Sequence, residues 1–256
     1  MNVNPAIDTQ DQYINNMFSR FKLIDMKERY QELINTAIEE NLSYRDFLLK
    51  LLQTEEEGKI KRRIERNIKA ANFENQRTIA EYDFSFNGFQ NMQKIKDLAT
   101  LEFLQKKENI ILIGPPGVGK SHLATGLGLK ACEVEKSVLF VNAIELINNL
   151  SMAVTKGTLK QSLIKLSKID LMIIDELGYL KMDKEKESIF FQLIRHRYEK
   201  NSLIITTNLP LGRWDEVFTS QLAASAILDR LVHHAHIVSI TGDSYRVKGK
   251  HKEGVS

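Results

Sequence analysis

The sequence predicts an α/β protein with a parallel sheet, preceded by a small all-helical domain. Three observations predict it. Between residues 109 and 240, short apolar runs alternate with longer stretches of helical composition, the order of strands and crossover helices. A glycine-rich loop, Gly114-Pro-Pro-Gly-Val-Gly-Lys-Ser121, stands between the first such run and the first such stretch. Residues 1 to about 75 hold no glycine before Gly58 and no proline after Pro5, so nothing there interrupts helices. The expected organisation is a helical domain over 1–75, a linker and entry helix over 76–108, a core over 109–240 and a basic tail over 241–256.

Composition narrows the class. The apolar fraction of 43% suffices for a sizeable core, and the net charge of +3 is too small to name a partner by itself. Cys132 is the single cysteine, which excludes an intrachain disulfide and fits a reducing cytoplasm. It is read as a packed small residue. The N-terminus carries no basic-then-apolar signal, and no apolar run approaches the ~20 residues that span a bilayer. The expected location is therefore cytoplasmic, without membrane contact.

The N-terminal region divides into helices. Phe18, Phe21, Leu23, Tyr30, Leu33, Ile34, Ala37 and Ile38 predict one or two amphipathic helices. Ser43-Tyr-Arg-Asp46 is a capping box. Thr54-Glu-Glu-Glu57 caps a further helix, or one long helix runs straight through. Residues 1–70 hold twelve basic and twelve acidic side chains, with the basic charge gathered at the end. There Ile60, Ile64 and Ile68 form an apolar stripe, and Lys59, Lys61, Arg62, Arg63, Arg66 and Lys69 cover the other faces. Such a helix either contacts DNA phosphates or is a solvated face paired with Glu55–Glu57.

The linker is aromatic. Tyr82, Phe84, Phe86 and Phe89 flank an Asn87-Gly88 turn; they either lie across a nucleotide face or anchor the linker to the core. A helix is expected over 92–105.

The core carries the chemistry. Asn109–Ile113 is a buried strand, and Gly114–Ser121 fits G-x-x-x-x-G-K-[ST], the phosphate-binding loop of NTPases. Backbone N–H groups of Gly114, Pro115, Pro116, Gly117, Val118 and Gly119 (the prolines excepted) and the following helix N-terminus form an anion cradle. Lys120 would reach the β- and γ-phosphates, and Ser121 would ligate Mg²⁺. The second strand is Val138–Val141, followed by helices over 144–150 and 159–166. The third, Leu171-Met-Ile-Ile, ends in Asp175-Glu176. An acid there faces the crevice in which such sheets bind ligands: Asp175 would hold Mg²⁺, and Glu176 would polarise the attacking water. After a helix over 185–199, the fourth strand, Ser202-Leu-Ile-Ile-Thr-Thr-Asn208, ends at Asn208, a further candidate for the γ-phosphate or the water. A helix over 220–233 carries Asp229-Arg230, and His236–Ile240 is the fifth strand. His233, His234 and His236 cluster, but no cysteine or carboxylate accompanies them at metal spacing, so they are read as surface or structural residues.

These motifs, in this order and together with Thr206-Thr-Asn-Leu-Pro210 and Ile227-Leu-Asp-Arg-Leu231, resemble the AAA+ ATPases, and within them the DnaC/IstB branch. Tyr44-Arg-Asp-Phe47, Ala70-Ala-Asn-Phe73, residues 78–84 and Asp243-Ser-Tyr-Arg246 resemble the IstB-type helper ATPases of insertion-sequence transposition. The resemblance implies a five-stranded parallel sheet of order 5-1-4-3-2 and ATP between neighbouring subunits of a homo-oligomer; the stretch after Ile240 is too short for the full C-terminal lid of many AAA+ proteins. It implies that Arg230 acts in trans on the neighbour's γ-phosphate and that Arg246 lies near the phosphates. It implies assembly on double-stranded DNA, with Lys156, Lys160 and Lys165 of residues 146–168 as candidate contacts, and a partner transposase. The alternatives are a DnaC-like helicase loader and an ATP-binding DNA scaffold that barely hydrolyses.

Overall fold

The computed structural model describes residues 5–86 and 92–245. Arg246, the tail lysines Lys248, Lys250 and Lys252, the Asn87-Gly88 turn and Phe89 lie outside the described residues. The chain divides into two compact units, Met1–Arg66 and Asn67–Ser256.

The first unit is helical, with α1 (Pro5–Arg20), α2 (Ile24–Glu39) and the greater part of α3 (Tyr44–Ala70). Met26, Tyr30 and Leu33 of α2 are its buried apolar residues among those described, and Phe18 meets the Tyr30 ring edge-on at 5.4 Å. The Ser43 cap forms as expected, its hydroxyl accepting from the Asp46 amide. Of the two alternatives at Thr54, the single long helix is the one that forms. Thr54 donates back to the Lys50 carbonyl inside a continuous helix. The reason lies in α2, whose N-cap Leu23 has no side chain to offer its first amides. Glu55 supplies it, 2% exposed, accepting from the amides of Asp25 and Met26 at 3.0 and 3.2 Å. An acid at a helix N-terminus also satisfies the dipole. Gly58 permits this approach, because a Cβ there would collide with the Asp25 carboxylate.

The second unit begins with α4 (Met92–Leu98) and α5 (Glu102–Lys106). One helix was expected over 92–105. It is broken because Leu101 takes a left-handed conformation, φ +65°, while its side chain stays buried. Then follow β1 (Asn109–Ile113), α6 (Lys120–Glu133), β2 (Val138–Asn142), α7 (Ala143–Thr155), α8 (Leu159–Leu166) and β3 (Leu171–Asp175). The chain ends in α9 (Lys184–Arg197), β4 (Ser202–Thr207), α10 (Gln221–Val232) and β5 (Ala235–Ser239). The strands form one sheet, ordered β2-β3-β4-β1-β5, with every neighbouring pair parallel.

Both faces of the sheet are covered, which is why its central strands read as unbroken apolar runs. Ile110, Leu112, Ile173 and Ile204 pack with Leu123 and Leu127 of α6. The alternate residues Ile111, Ile174 and Ile205 pack with Leu150, Leu163, Leu193 and Leu231 from α7 to α10. The carboxyl ends of β1, β2, β3 and β4 therefore share one edge. They present the phosphate loop, Asn142, Asp175 and Thr207 respectively. No described helix is long and apolar enough to cross a membrane.

Candidate functional site

At that edge opens a pocket of about 650 Å³, within the usual range for small-ligand sites. Its floor is the loop that precedes α6. Gly117 and Gly119 take φ +81° and +97°, a region in which a side chain is strained. Their bareness also admits neighbours: a Cβ on Gly119 would stand 2.5 Å from the Tyr82 ring, and one on Gly117 would collide with Ser244. The curl is tied from outside, with Tyr82 donating its hydroxyl proton to the Val118 carbonyl at 2.9 Å and the Tyr245 amide donating to the Gly117 carbonyl. Lys120 folds across this loop, its ammonium 2.8 Å from the carbonyls of Gly114 and Pro115.

The oxygens of three side chains converge beside it. The Ser121 hydroxyl lies 2.9 Å from both Asp175 oxygens, and the Thr206 hydroxyl donates to Asp175 Oδ1 at 2.5 Å. Asp175 is 5% exposed. Hard oxygen donors on a buried carboxylate suit a small divalent cation, and they stand next to an anion cradle with a lysine. The residues present therefore fit Mg²⁺ with a nucleotide phosphate chain.

Glu176 follows in a left-handed conformation, φ +61°. Its amide donates to the Thr206 hydroxyl at 2.9 Å, so one threonine fixes both acids. Its carboxylate accepts from Asn142 Nδ2 at 3.2 Å. Asn208 also lines the pocket; its Oδ1 is buried against Gly178 with no partner among the described residues. Arg230 does not line it. The guanidinium sits 4.7 Å above the Phe191 ring and donates to the Ala226 carbonyl at 2.7 Å, rather than pairing with Asp229.

The aromatic linker takes both of its expected parts. Tyr82 and Phe86 line the pocket, while Tyr82 and Phe84 pack against the core. Asn142 has no part in the sequence reading, and Thr206 and Tyr245 enter it only inside motifs, with no role of their own. A signal existed for Thr206, since a hydroxyl late in an apolar strand is out of pattern. Asn142 reads as no more than the N-cap of α7 until β2 is paired with β3, which brings Asn142 opposite Asp175.

The basic helix is divided. Arg62 pairs with Asp25 and Glu55, and Lys59 with Glu55 at 3.6 Å. Arg62 and Lys59 thus take the paired alternative, within their own unit. Lys61, Arg63, Arg66 and Lys69 are exposed on α3. Lys156 at the end of α7, and Lys160 and Lys165 on α8, are also exposed. Cys132 is fully buried, and desolvation pushes its thiol up to about 11, an inert packing residue as expected. The histidine reading needs correction: a carboxylate does accompany them. Ligand atoms of Glu199, His233 and His234 lie within 4.8 Å of one another, while His236 pairs with Glu108 at 2.8 Å.

Comparison with known proteins agrees with this geometry. The family described as IstB-like ATP binding protein matches residues 17–253. The chain is 41% identical to a protein of insertion sequence IS21 from Pseudomonas aeruginosa, described as ATP-binding, over 93% of this chain and 90% of that one. It is also 41% identical to the corresponding IS232 protein of Bacillus thuringiensis subsp. berliner, over 89% and 91%. Among solved structures, the DnaC helicase loader has the same fold, with a TM-score of 0.52 at 21% identity over 66% of this chain and 98% of that one. The chain belongs to the IstB-like ATP-binding proteins of insertion sequences, and its core is an AAA+ domain.

Proposed function

We propose that this protein is an ATP-hydrolysing, DNA-binding helper of transposition. It assembles on duplex DNA in the cytoplasm as a homo-oligomer and directs or activates a partner transposase at the target. The observation that carries the reading is the position of Arg230. The pocket gathers cradle, lysine, cation ligands and general base from one chain, yet this arginine stands outside it on α10. A second copy that brings its own Arg230 to the pocket would complete the set.

The residues would act as follows. Backbone amides of the loop bind the phosphates, and Lys120 turns from the loop carbonyls to the β- and γ-phosphate oxygens. Ser121 and Asp175 hold Mg²⁺, which when bound neutralises charge on the phosphate oxygens. Glu176 orients a water and takes its proton, and Asn208 donates to that water or to the γ-phosphate. The neighbour's Arg230 stabilises the charge that develops; such arginines contribute ~10³–10⁵ in turnover. Tyr82 and Phe86 border the space for the base. Exposed Lys61, Arg63, Arg66 and Lys69, with Lys156, Lys160 and Lys165, contact the DNA backbone without reading sequence. The helical N-terminal region grips DNA or the transposase. ATP favours the assembled state, and hydrolysis releases or remodels it.

The deciding measurement is the mass of the assembly with and without a long duplex, in ATP and in ADP. Large assemblies that need both ATP and duplex support the reading. A monomer indifferent to duplex but shifted by single-stranded DNA would replace it with a helicase-loader role. Assembly in ATP with no phosphate release would replace it with a scaffold.

A further inference from the structure

Outside the nucleotide pocket, one cluster of ligating groups among the described residues remains without a role. Glu199 stands in the turn between α9 and β4; His233 is the C-cap of α10, and His234 follows it. The acid and the first histidine are 34 positions apart in the chain, and the fold brings their ligand atoms, with those of His234, within 4.8 Å of one another. All three residues are exposed, so an ion reaches them without opening the core.

We propose that Glu199, His233 and His234 bind a zinc ion, at the point where the α9–β4 turn meets the C-terminal end of α10. Two imidazoles and one carboxylate are a common zinc donor set, leaving a fourth position for water. Imidazole selects zinc over magnesium, so this site and the oxygen-lined nucleotide pocket would take different ions from the same solution. A cation here also meets the negative end of the α10 dipole.

The ligands are held in place. The His233 amide donates to the Asp229 carbonyl, and the His234 carbonyl accepts from Asn109 of β1 at 2.7 Å. Beneath the turn that bears Glu199 lies Arg197, 1% exposed and otherwise unexplained. Its guanidinium donates to the carbonyls of Leu166, Ile169 and Ser202 at 2.5, 3.0 and 2.9 Å. This ties the turn to the α8–β3 connection and to β4. Tyr198 supports the cluster from the side: its hydroxyl oxygen lies 3.1 Å from His233 Nδ1. Whichever ring nitrogen of His233 carries no proton keeps its lone pair for a metal. Arg230 lies three residues before His233, so zinc would fix the end of the helix that presents it.

The test is to strip the full-length protein with chelator and titrate Zn²⁺ by calorimetry, with Co²⁺ followed by visible absorption. One ion per chain is expected, with a tetrahedral Co²⁺ spectrum that Zn²⁺ abolishes and millimolar Mg²⁺ does not. The H233A/H234A double variant should lose the site. Glu199→Gln should weaken it at least tenfold, and Tyr198→Phe by about tenfold. Zinc should raise the melting temperature of the natural protein and not of the double variant; ATP binding, measured in parallel, shows that each variant is folded. Zinc affinity equal in the natural protein and in H233A/H234A, or displacement of the ion by Mg²⁺, would overturn the proposal.

Discussion

Asn142 Nδ2 donates to the Glu176 carboxylate at 3.2 Å, while Oδ1 of the same side chain accepts from the Ile144 amide and caps α7. One residue thus holds the acid proposed as general base and starts the helix that leads to Lys156. A carboxylate engaged by an amide is not free to turn toward a water.

Removing that engagement should raise basal turnover. In Asn142→Ala, phosphate release without DNA should increase severalfold, and stimulation by duplex should shrink. The lost cap costs about 1 kcal/mol, so Asn142→Asp is the sharper variant. It keeps the cap, discards the amide donor and sets a like charge beside Glu176. If both variants hydrolyse at the natural basal rate, the contact does not restrain Glu176.

What was legible in the sequence was what is local. The phosphate loop, the strand that ends in Asp175 and the strand that ends near Asn208 each announce themselves within about ten residues, because cradle, lysine and cation ligand come in sequence order. The sheet order followed from the family resemblance. What escaped depends on register or on a distant demand. Asn142 meets Glu176 because β2 pairs with β3, and Glu199 meets His233 because two turns adjoin. The sequence left a stop at Thr54 and a continuous α3 both open; what decides for the continuous helix is that α2 recruits Glu55, leaving Thr54 to bond backward. Leu101 gave no warning of its left-handed backbone, since a leucine carries no turn signal.

Gly119 is open to a direct test of the cradle. An alanine there has a Cβ at φ +97°, 2.5 Å from the Tyr82 ring, and both strain and contact act on the loop that binds phosphate. Gly119→Ala should weaken ATP at least tenfold while the melting temperature without nucleotide falls by only a few degrees. Gly119→Ala together with Tyr82→Ala removes the contact but not the strain, and should recover only part of the affinity. Unchanged ATP affinity in the single variant would contradict the placement of the phosphates.

The basic residues of α3 should separate into two groups. Arg62 is tied to Asp25 and to the buried Glu55, so Arg62→Ala should lower thermal stability. Lys61, Arg66 and Lys69 are exposed. Their joint replacement by alanine should leave stability unchanged, weaken duplex binding equally on unrelated sequences and flatten the dependence of log K on log salt by up to about 0.9 per lost phosphate contact. A salt slope equal to that of the natural protein would make this face a solvated one.

Arg230 and Glu176 can be tested against each other, because the reading puts them in one reaction but on different subunits. Glu176→Gln keeps the pocket and should bind ATP normally, with turnover down by 10²–10⁴ as for loss of a general base. Arg230→Ala leaves its own pocket complete, so it too should bind ATP, with turnover lost for want of the neighbour's arginine. Each variant alone is therefore inactive for a different reason. When the two are mixed on duplex DNA, an Arg230→Ala pocket beside a Glu176→Gln subunit regains every group it needs. Phosphate release should reappear in the mixture, and it should fall again when either variant is in large excess. Mixtures that stay as inactive as the separate variants, with assembly intact, would mean that Arg230 serves its own chain, where its place above Phe191 is a matter of packing alone.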